Sequence, residues 1–200
     1  MKPGSFGLFV LTSIIILATA ISVWAGEPTD TIKGGTDKII AVVTDPALVG
    51  DEKAEDMRKA IRQAVDELFD WEEMAKRSLA RHWSARTEAE KKEFVVLFGE
   101  LLERTYLDRV EGYSGEEVIY ADERIEGKYA LVKVKIVTKN KQEISVDYRL
   151  KENNKKWLVY DVSIEGVSLV NNYRTQFNQI LMKSSYEALV ERLREKIEKE

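Results

Sequence analysis

Hydrophobic residues recur along this chain with a period near 3.6, then with a period of 2, then near 3.6 again. Ile39, Ile40 and Val43 set a first helical spacing from about Asp37, which breaks at Asp45-Pro46. Met57, Ile61, Val65 and Leu68 follow at steps of four, four and three, one stripe on a helix. Asp70 with Glu73 predicts a capped restart carrying Trp71, Met74 and Leu79. Thr87 with Glu90 is a capping box that opens a long helix. Its apolar face is Phe94, Leu97, Phe98, Leu101, Leu102 and Tyr106, and Gly112 and Gly115 end it.

Strict alternation then takes over. Ala130, Val132, Val134 and Ile136 share one face of a strand, with Lys133 and Lys135 on the other. Ile144, Val146, Tyr148 and Leu150 alternate with Glu143, Ser145, Asp147 and Arg149, and Leu158, Tyr160, Val162 and Ile164 form a third set. These are half-buried antiparallel strands. A hairpin centred on Asn140 brings Ile136 opposite Ile144 and Val134 opposite Val146. One centred on Asn154 brings Leu150 opposite Leu158, Tyr148 opposite Tyr160, Val146 opposite Val162 and Ile144 opposite Ile164. A one-residue slip would destroy both matches. A further strand over Glu117 to Glu123 pairs through a turn at Glu126-Gly127.

Helical spacing returns at Ser168 with Leu169, Tyr173, Phe177 and Ile180. Ser184 or Ser185 opens a last helix with Tyr186, Leu189, Val190, Leu193 and Ile197, ending in a charged tail. A sheet with one apolar face needs cover, which helices before and after it supply. The expected class is α+β: a curved antiparallel sheet of about four strands, a meander, with helices closing over its concave side.

The amino terminus has a different pattern. Lys2 precedes an apolar run from Leu8 to Val23, and Val23-Trp24-Ala25 places small residues at −3 and −1 of a cut. That order predicts a secretory signal peptide cleaved near Ala25. The alternative, an uncleaved anchor, has an apolar run of about sixteen residues where a span needs about 20. Residues 26–200 would form one domain. Lys2 is the only charged side chain before Glu27, so that portion is one charge more negative than the −4 of the whole chain. Both signs are interspersed, which makes nucleic acid an unsuitable partner. Cysteine is absent, excluding a disulfide framework, a thiolate site and a lipid-modified cysteine.

Catalytic signatures are scarce. His82 is the only histidine, and no grouping has metal-ligand spacing. No nucleophile elbow, phosphate-binding loop or dinucleotide fingerprint is present. The twelve positions facing the helices from three strands hold no ionisable group except Tyr148 and Tyr160. A general base within reach of a bound substrate is therefore not supplied by that face. An apolar concave face is either a filled core or a cavity for a hydrophobic ligand, and periodicity does not separate the two. A cone-shaped α+β enzyme acting on a small hydrophobic substrate and a non-catalytic adaptor with a filled core both remain open on pattern alone.

Two stretches carry more than pattern. FDWEEMAKRSLARHW, Phe69 to Trp83, and WLVYDVSIEGVSLVNNYRTQFNQI, Trp157 to Ile180, resemble segments of the MlaC family, the toluene-tolerance auxiliary proteins. The helix from Thr87 to Val110, with FxxLFxxLLxxTY, is similar as well. Trp71 stands where phenylalanine is common, which changes bulk but not character. The resemblance implies a fold like that of nuclear transport factor 2 proteins, enclosing an apolar cavity. It implies a monomeric periplasmic phospholipid carrier with no enzymatic step and no cofactor, the lipid being cargo. Its partners would be an outer-membrane lipoprotein complex and an inner-membrane ABC transporter with its substrate-binding subunit, a system that maintains outer-membrane lipid asymmetry.

On that footing Val132, Val134, Ile136, Val146, Tyr148, Tyr160, Val162 and Ile164 would line the sheet side of the cavity. Met74, Leu97, Leu101, Leu169, Tyr173 and Phe177 would line the helix side. Arg81 and Arg174 are candidates for head-group or partner contact at the mouth, with ordinary salt bridges as the alternative.

Overall fold

The computed structural model describes residues 27–48 and 50–199; the predicted signal peptide lies outside the described residues. Among the described residues four α-helices come first: α1 (Glu27–Val43), α2 (Ala54–Leu68), α3 (Trp71–Leu79) and α4 (Glu88–Glu111). Five strands follow: β1 (Glu117–Glu126), β2 (Tyr129–Val137), β3 (Glu143–Asn153), β4 (Lys156–Ile164) and β5 (Val167–Ser168). Two helices close the chain, α5 (Leu169–Leu181) and α6 (Tyr186–Lys199). The strands pair in sequence order, all antiparallel, in one open sheet. The meander has five strands rather than about four, the fifth being two residues long.

Local chemistry sets the boundaries. Asp70 accepts a hydrogen bond from the Glu73 amide at 2.9 Å and starts α3. Thr87 and Glu90 form the capping box of α4. Ser168 accepts from the Asn171 amide at the start of α5. These caps each satisfy amides that a helix leaves unpaired at its first turn.

The β2–β3 register matches the expected one throughout, with Val134 opposite Val146 and Val132 opposite Tyr148. The β3–β4 register does not. The connection is the two-residue turn Asn154-Lys155, both residues at positive φ (50° and 63°), not a turn centred on Asn154. Such a turn matches the twist of the strands. It sets Leu150 opposite Val159, and a bulge at Tyr160 then shifts the pairing again, so that Tyr148 faces Val162 and Val146 faces Ile164 in place of the expected Tyr160 and Val162. The apolar face of β4 is therefore Trp157, Val159, Val162 and Ile164, and Leu158 and Tyr160 leave it. A bulge carries one extra residue and re-aims its neighbours. Here the freed Val159 carbonyl accepts the Asp70 amide at 2.8 Å, tying the α2–α3 junction to the sheet.

α1 begins at Glu27, well before the predicted Asp37, and lies across the apolar face of the sheet. Its Ile32 is fully buried among the strand residues. Glu123 of β1 accepts hydrogen bonds from the Thr29 amide (2.8 Å) and hydroxyl (2.6 Å), a carboxylate at a helix amino terminus. Gly35 lets α1 approach α2 closely: a Cβ there would lie 2.8 Å from a Leu68 methyl.

Two hydrophobic clusters result. A sheet core gathers Val132, Val134, Val146, Leu150, Val159 and Val162 with Ile32, Leu68 and Leu169. A helical core gathers residues of α3, α4, α5 and α6 around Phe94, Phe98, Tyr173 and Phe177. Phe69 and Tyr106 pack against both.

Candidate functional site

The fourteen apolar positions named from the sequence divide between those two clusters. Val132, Val134, Val146 and Val162 are buried in the sheet core; Ile136, Tyr148 and Ile164 form its half-buried rim; and Leu169 of α5 joins them. Met74, Leu97, Leu101, Tyr173 and Phe177 lie in the helical core. Tyr160 is displaced by the bulge to the opposite, polar face, where its ring sits under the Arg77 guanidinium at 4.1 Å. Tyr160 thus packs on the helical side and is not part of the apolar face. Burial, with a smaller contribution from Tyr120, pushes the Tyr148 phenol up to about 12 although part of the ring stays accessible. That hydroxyl remains protonated at neutral pH, an uncharged polar tip near Tyr120 on the rim of the sheet core.

The clusters meet at a seam that holds an apolar cavity of about 100 Å³. Ile61 and Val65 of α2, Phe69 and Trp71 at the α2–α3 junction, Met74 of α3, Leu102, Tyr106, Leu107 and Val110 of α4, and Leu169 of α5 make its wall. Of the residues expected to line a cavity, Met74 and Leu169 are there. The α2 residues and the carboxyl-terminal half of α4 carry the rest. Their stripes are legible in the sequence, but a stripe does not reveal whether its neighbours fill the space opposite. A dry apolar cavity of about 150 Å³ holds benzene. The seam is smaller than that, so an acyl chain enters only if the walls part.

Charged groups stand at the edge of the seam. Arg62 pairs with Glu103 and lies 3.8 Å from Asp66, and Asp66 accepts the Trp71 indole N–H at 2.8 Å. Burial raises the Glu103 carboxyl above its ordinary range, against the opposing pull of Arg62. Both carboxylates are thus committed to neighbours. His82 is remote from the seam, its Nε2 at 3.0 Å from the Asn178 side-chain oxygen. Among the described residues no group of three metal-ligating side chains converges.

Arg81 and Arg174 are both placed by α5. Arg81 donates to the Asn178 side-chain oxygen at 2.8 Å. Arg174, one turn earlier on the helix, donates from Nε to the Arg77 carbonyl at 2.9 Å. That carbonyl is among the last of α3, which lack helical partners. Neither arginine is among the residues lining the seam.

The family model described as MlaC protein matches residues 33–195. A curated relative from Haemophilus influenzae, "Intermembrane phospholipid transport system binding protein MlaC", is 22% identical over 192 residues, covering 94% of this chain and 89% of that protein. A solved structure of a phospholipid-binding protein from Ralstonia solanacearum, in complex with a phospholipid, superposes with a TM-score of 0.77 at 24% identity, covering 87% of this chain and 98% of that one. At that identity the likeness establishes a shared fold.

Proposed function

The chain belongs to the MlaC family, and we propose that it is a periplasmic carrier that holds a phospholipid by its acyl chains between the sheet core and the helical core. The observation that carries this reading is the apolar seam, where two separately packed cores meet without fusing. Relatives described as phospholipid transport and phospholipid-binding proteins support it.

Hiding an acyl chain of about sixteen carbons from water is worth roughly 13 kcal/mol at about 0.8 per methylene. Free lipid therefore does not cross an aqueous compartment quickly. A carbon-lined seam makes transfer from a bilayer nearly neutral, and the gain offsets the cost of parting the walls. Parting them moves the α2 stripe of Ile61 and Val65 away from Leu102, Tyr106 and Leu169. No covalent chemistry is required. Direction would come from partners: an outer-membrane lipoprotein complex on one side and an inner-membrane ABC transporter with its substrate-binding subunit on the other. Residues 1–25 would direct export and be removed, leaving residues 26–200 as a single monomeric domain.

The test is extraction from vesicles. Protein freed of lipid is mixed with vesicles carrying a labelled phospholipid and then separated from them. The reading expects label to leave with the protein in saturable, stoichiometric amount. Protein that emerges unlabelled while correctly folded contradicts it.

A further inference from the structure

The sheet face opposite the apolar one carries a second concavity. Arg77 from α3, Arg149 from β3 and Arg174 from α5 line a groove of about 360 Å³ with Tyr160 and the first turn of α5. Three guanidinium groups from three elements converge here in a chain whose net charge is −4. Lys151 lies close by, bound to Glu73 at 3.0 Å. The carboxylates present are already committed. Asp161 accepts from the Val170 amide (3.1 Å) and the Ser168 hydroxyl (2.7 Å), closing the amino terminus of α5. Glu73 binds Arg77 at 2.7 Å as well as Lys151.

Each arginine is held by part of its donor set. Arg77 uses Nε and one terminal nitrogen on Glu73 and stacks on Tyr160. Arg149 uses one terminal nitrogen, on the Ser163 hydroxyl at 2.8 Å and near Asp161 at 3.5 Å. Arg174 uses Nε on the Arg77 carbonyl. A guanidinium has five N–H donors in a fixed fork, so each keeps donors in reserve. Their positions are set before any ligand arrives, which lowers the cost of binding one. A carboxylate offers two oxygens and is satisfied by one fork. A tetrahedral phosphoryl group offers more acceptors in several directions and matches several forks at once.

We infer that this groove is a binding site for a phosphate-class oxyanion, either free or as the phosphodiester of a lipid head group. It rests on the groove alone and lies on the other face of the sheet from the acyl-chain reading, so either can fail without the other.

Calorimetric titration of the purified protein at constant ionic strength tests it. Inorganic phosphate and glycerophosphoglycerol, a phosphodiester without tails, are the two probes, with glutamate as a carboxylate control. Saturable binding of at least one probe in the millimolar range or tighter is expected, weakened about tenfold or more by Arg149→Gln, a loss of about 1.4 kcal/mol. Arg149→Lys keeps the charge but not the fork and should fall between. Binding of inorganic phosphate alone assigns the free anion; binding of the phosphodiester assigns the head group. The inference is overturned if neither probe saturates, if glutamate binds as tightly, or if Arg149→Gln and Arg77→Gln, both still melting cooperatively, bind as the unaltered protein does.

Discussion

The helical core and the sheet core are built from different materials. Around Phe98, the rings of Phe94, Tyr173 and Phe177 lie 5.3–5.9 Å away, with Tyr173 and Phe177 edge-on. Phe94 and Phe98 are wholly buried. Large rings locked by edge contacts leave little room for rearrangement. The sheet core is aliphatic, and its rim of Val118, Tyr120, Ile136, Ile144, Tyr148 and Ile164 is half-buried. Its cover is α1, which buries Ile32 and Pro28 most deeply and carries two adjacent glycines, Gly34 and Gly35. One core is a fixed body of interlocking rings; the other is an aliphatic surface with a half-buried rim, under an α1 that Glu123 fastens at its amino terminus. On the proposed reading the first is the frame and the second the wall that meets cargo.

Phe98→Ala should break the fixed body, at a cost of about 3–5 kcal/mol for a fully buried ring. Thermal or denaturant unfolding would show it, and a loss below about 1 kcal/mol would mean that the helical core repacks freely. Val146→Asp places a carboxylate in the sheet core opposite Val134. It should cost about 2–4 kcal/mol by burying an unpaired polar group and lower lipid uptake from vesicles strongly. Normal uptake by folded Val146→Asp protein would remove this face from the site.

Asp161→Ala separates the two cores where they are tied, because Asp161 is on β4 and closes the first turn of α5. A loss of about 2 kcal/mol is expected from the cap and the charge-assisted bonds. Unchanged stability would mean that α5 is placed by Leu169 and Val170 alone.

The smallest effect concerns pH. Burial works against ionisation of Glu73, but hydrogen bonds from Lys151 and Arg77 outweigh it and hold the carboxyl below its ordinary range. Donating that hydrogen bond to Glu73 correspondingly raises Lys151. A depressed carboxylate contributes stability above its unfolded value of about 4.3, lost as pH falls through the lower folded value. The raised lysine contributes below about 10.4 and loses that as pH rises through its folded value. Glu73→Gln should therefore cost about 1 kcal/mol at neutral pH and flatten the acid limb below about pH 4. An acid limb identical to that of the unaltered protein would show that this pair does not fasten α3 to β3.

The sequence discloses these regions unequally. β2 and β3 are legible because polar residues at Lys133, Lys135, Glu143, Ser145, Asp147 and Arg149 mark the outward phase against an apolar inward one. The caps at Asp70, Thr87 and Ser168 are legible because side chain and amide are close in sequence. The bulge is not, since Trp157-Leu158-Val159-Tyr160 is apolar in both phases and either set could face inward. The start of α1 is hidden for another reason: Pro28 to Gly35 has weak helical periodicity, and Glu123 and Leu68, distant in sequence, hold it. The division of the apolar stripes between two cores also escapes periodicity, which marks a buried face without saying what it meets.

The central claim, that phospholipid is carried between these cores, is tested most directly by native mass spectrometry of the protein purified without detergent from a diderm bacterium that produces it, followed by lipid extraction. The account predicts a mass above that of the chain by stoichiometric phospholipid. A bare chain mass, with no lipid taken up on later exposure to vesicles, would contradict it.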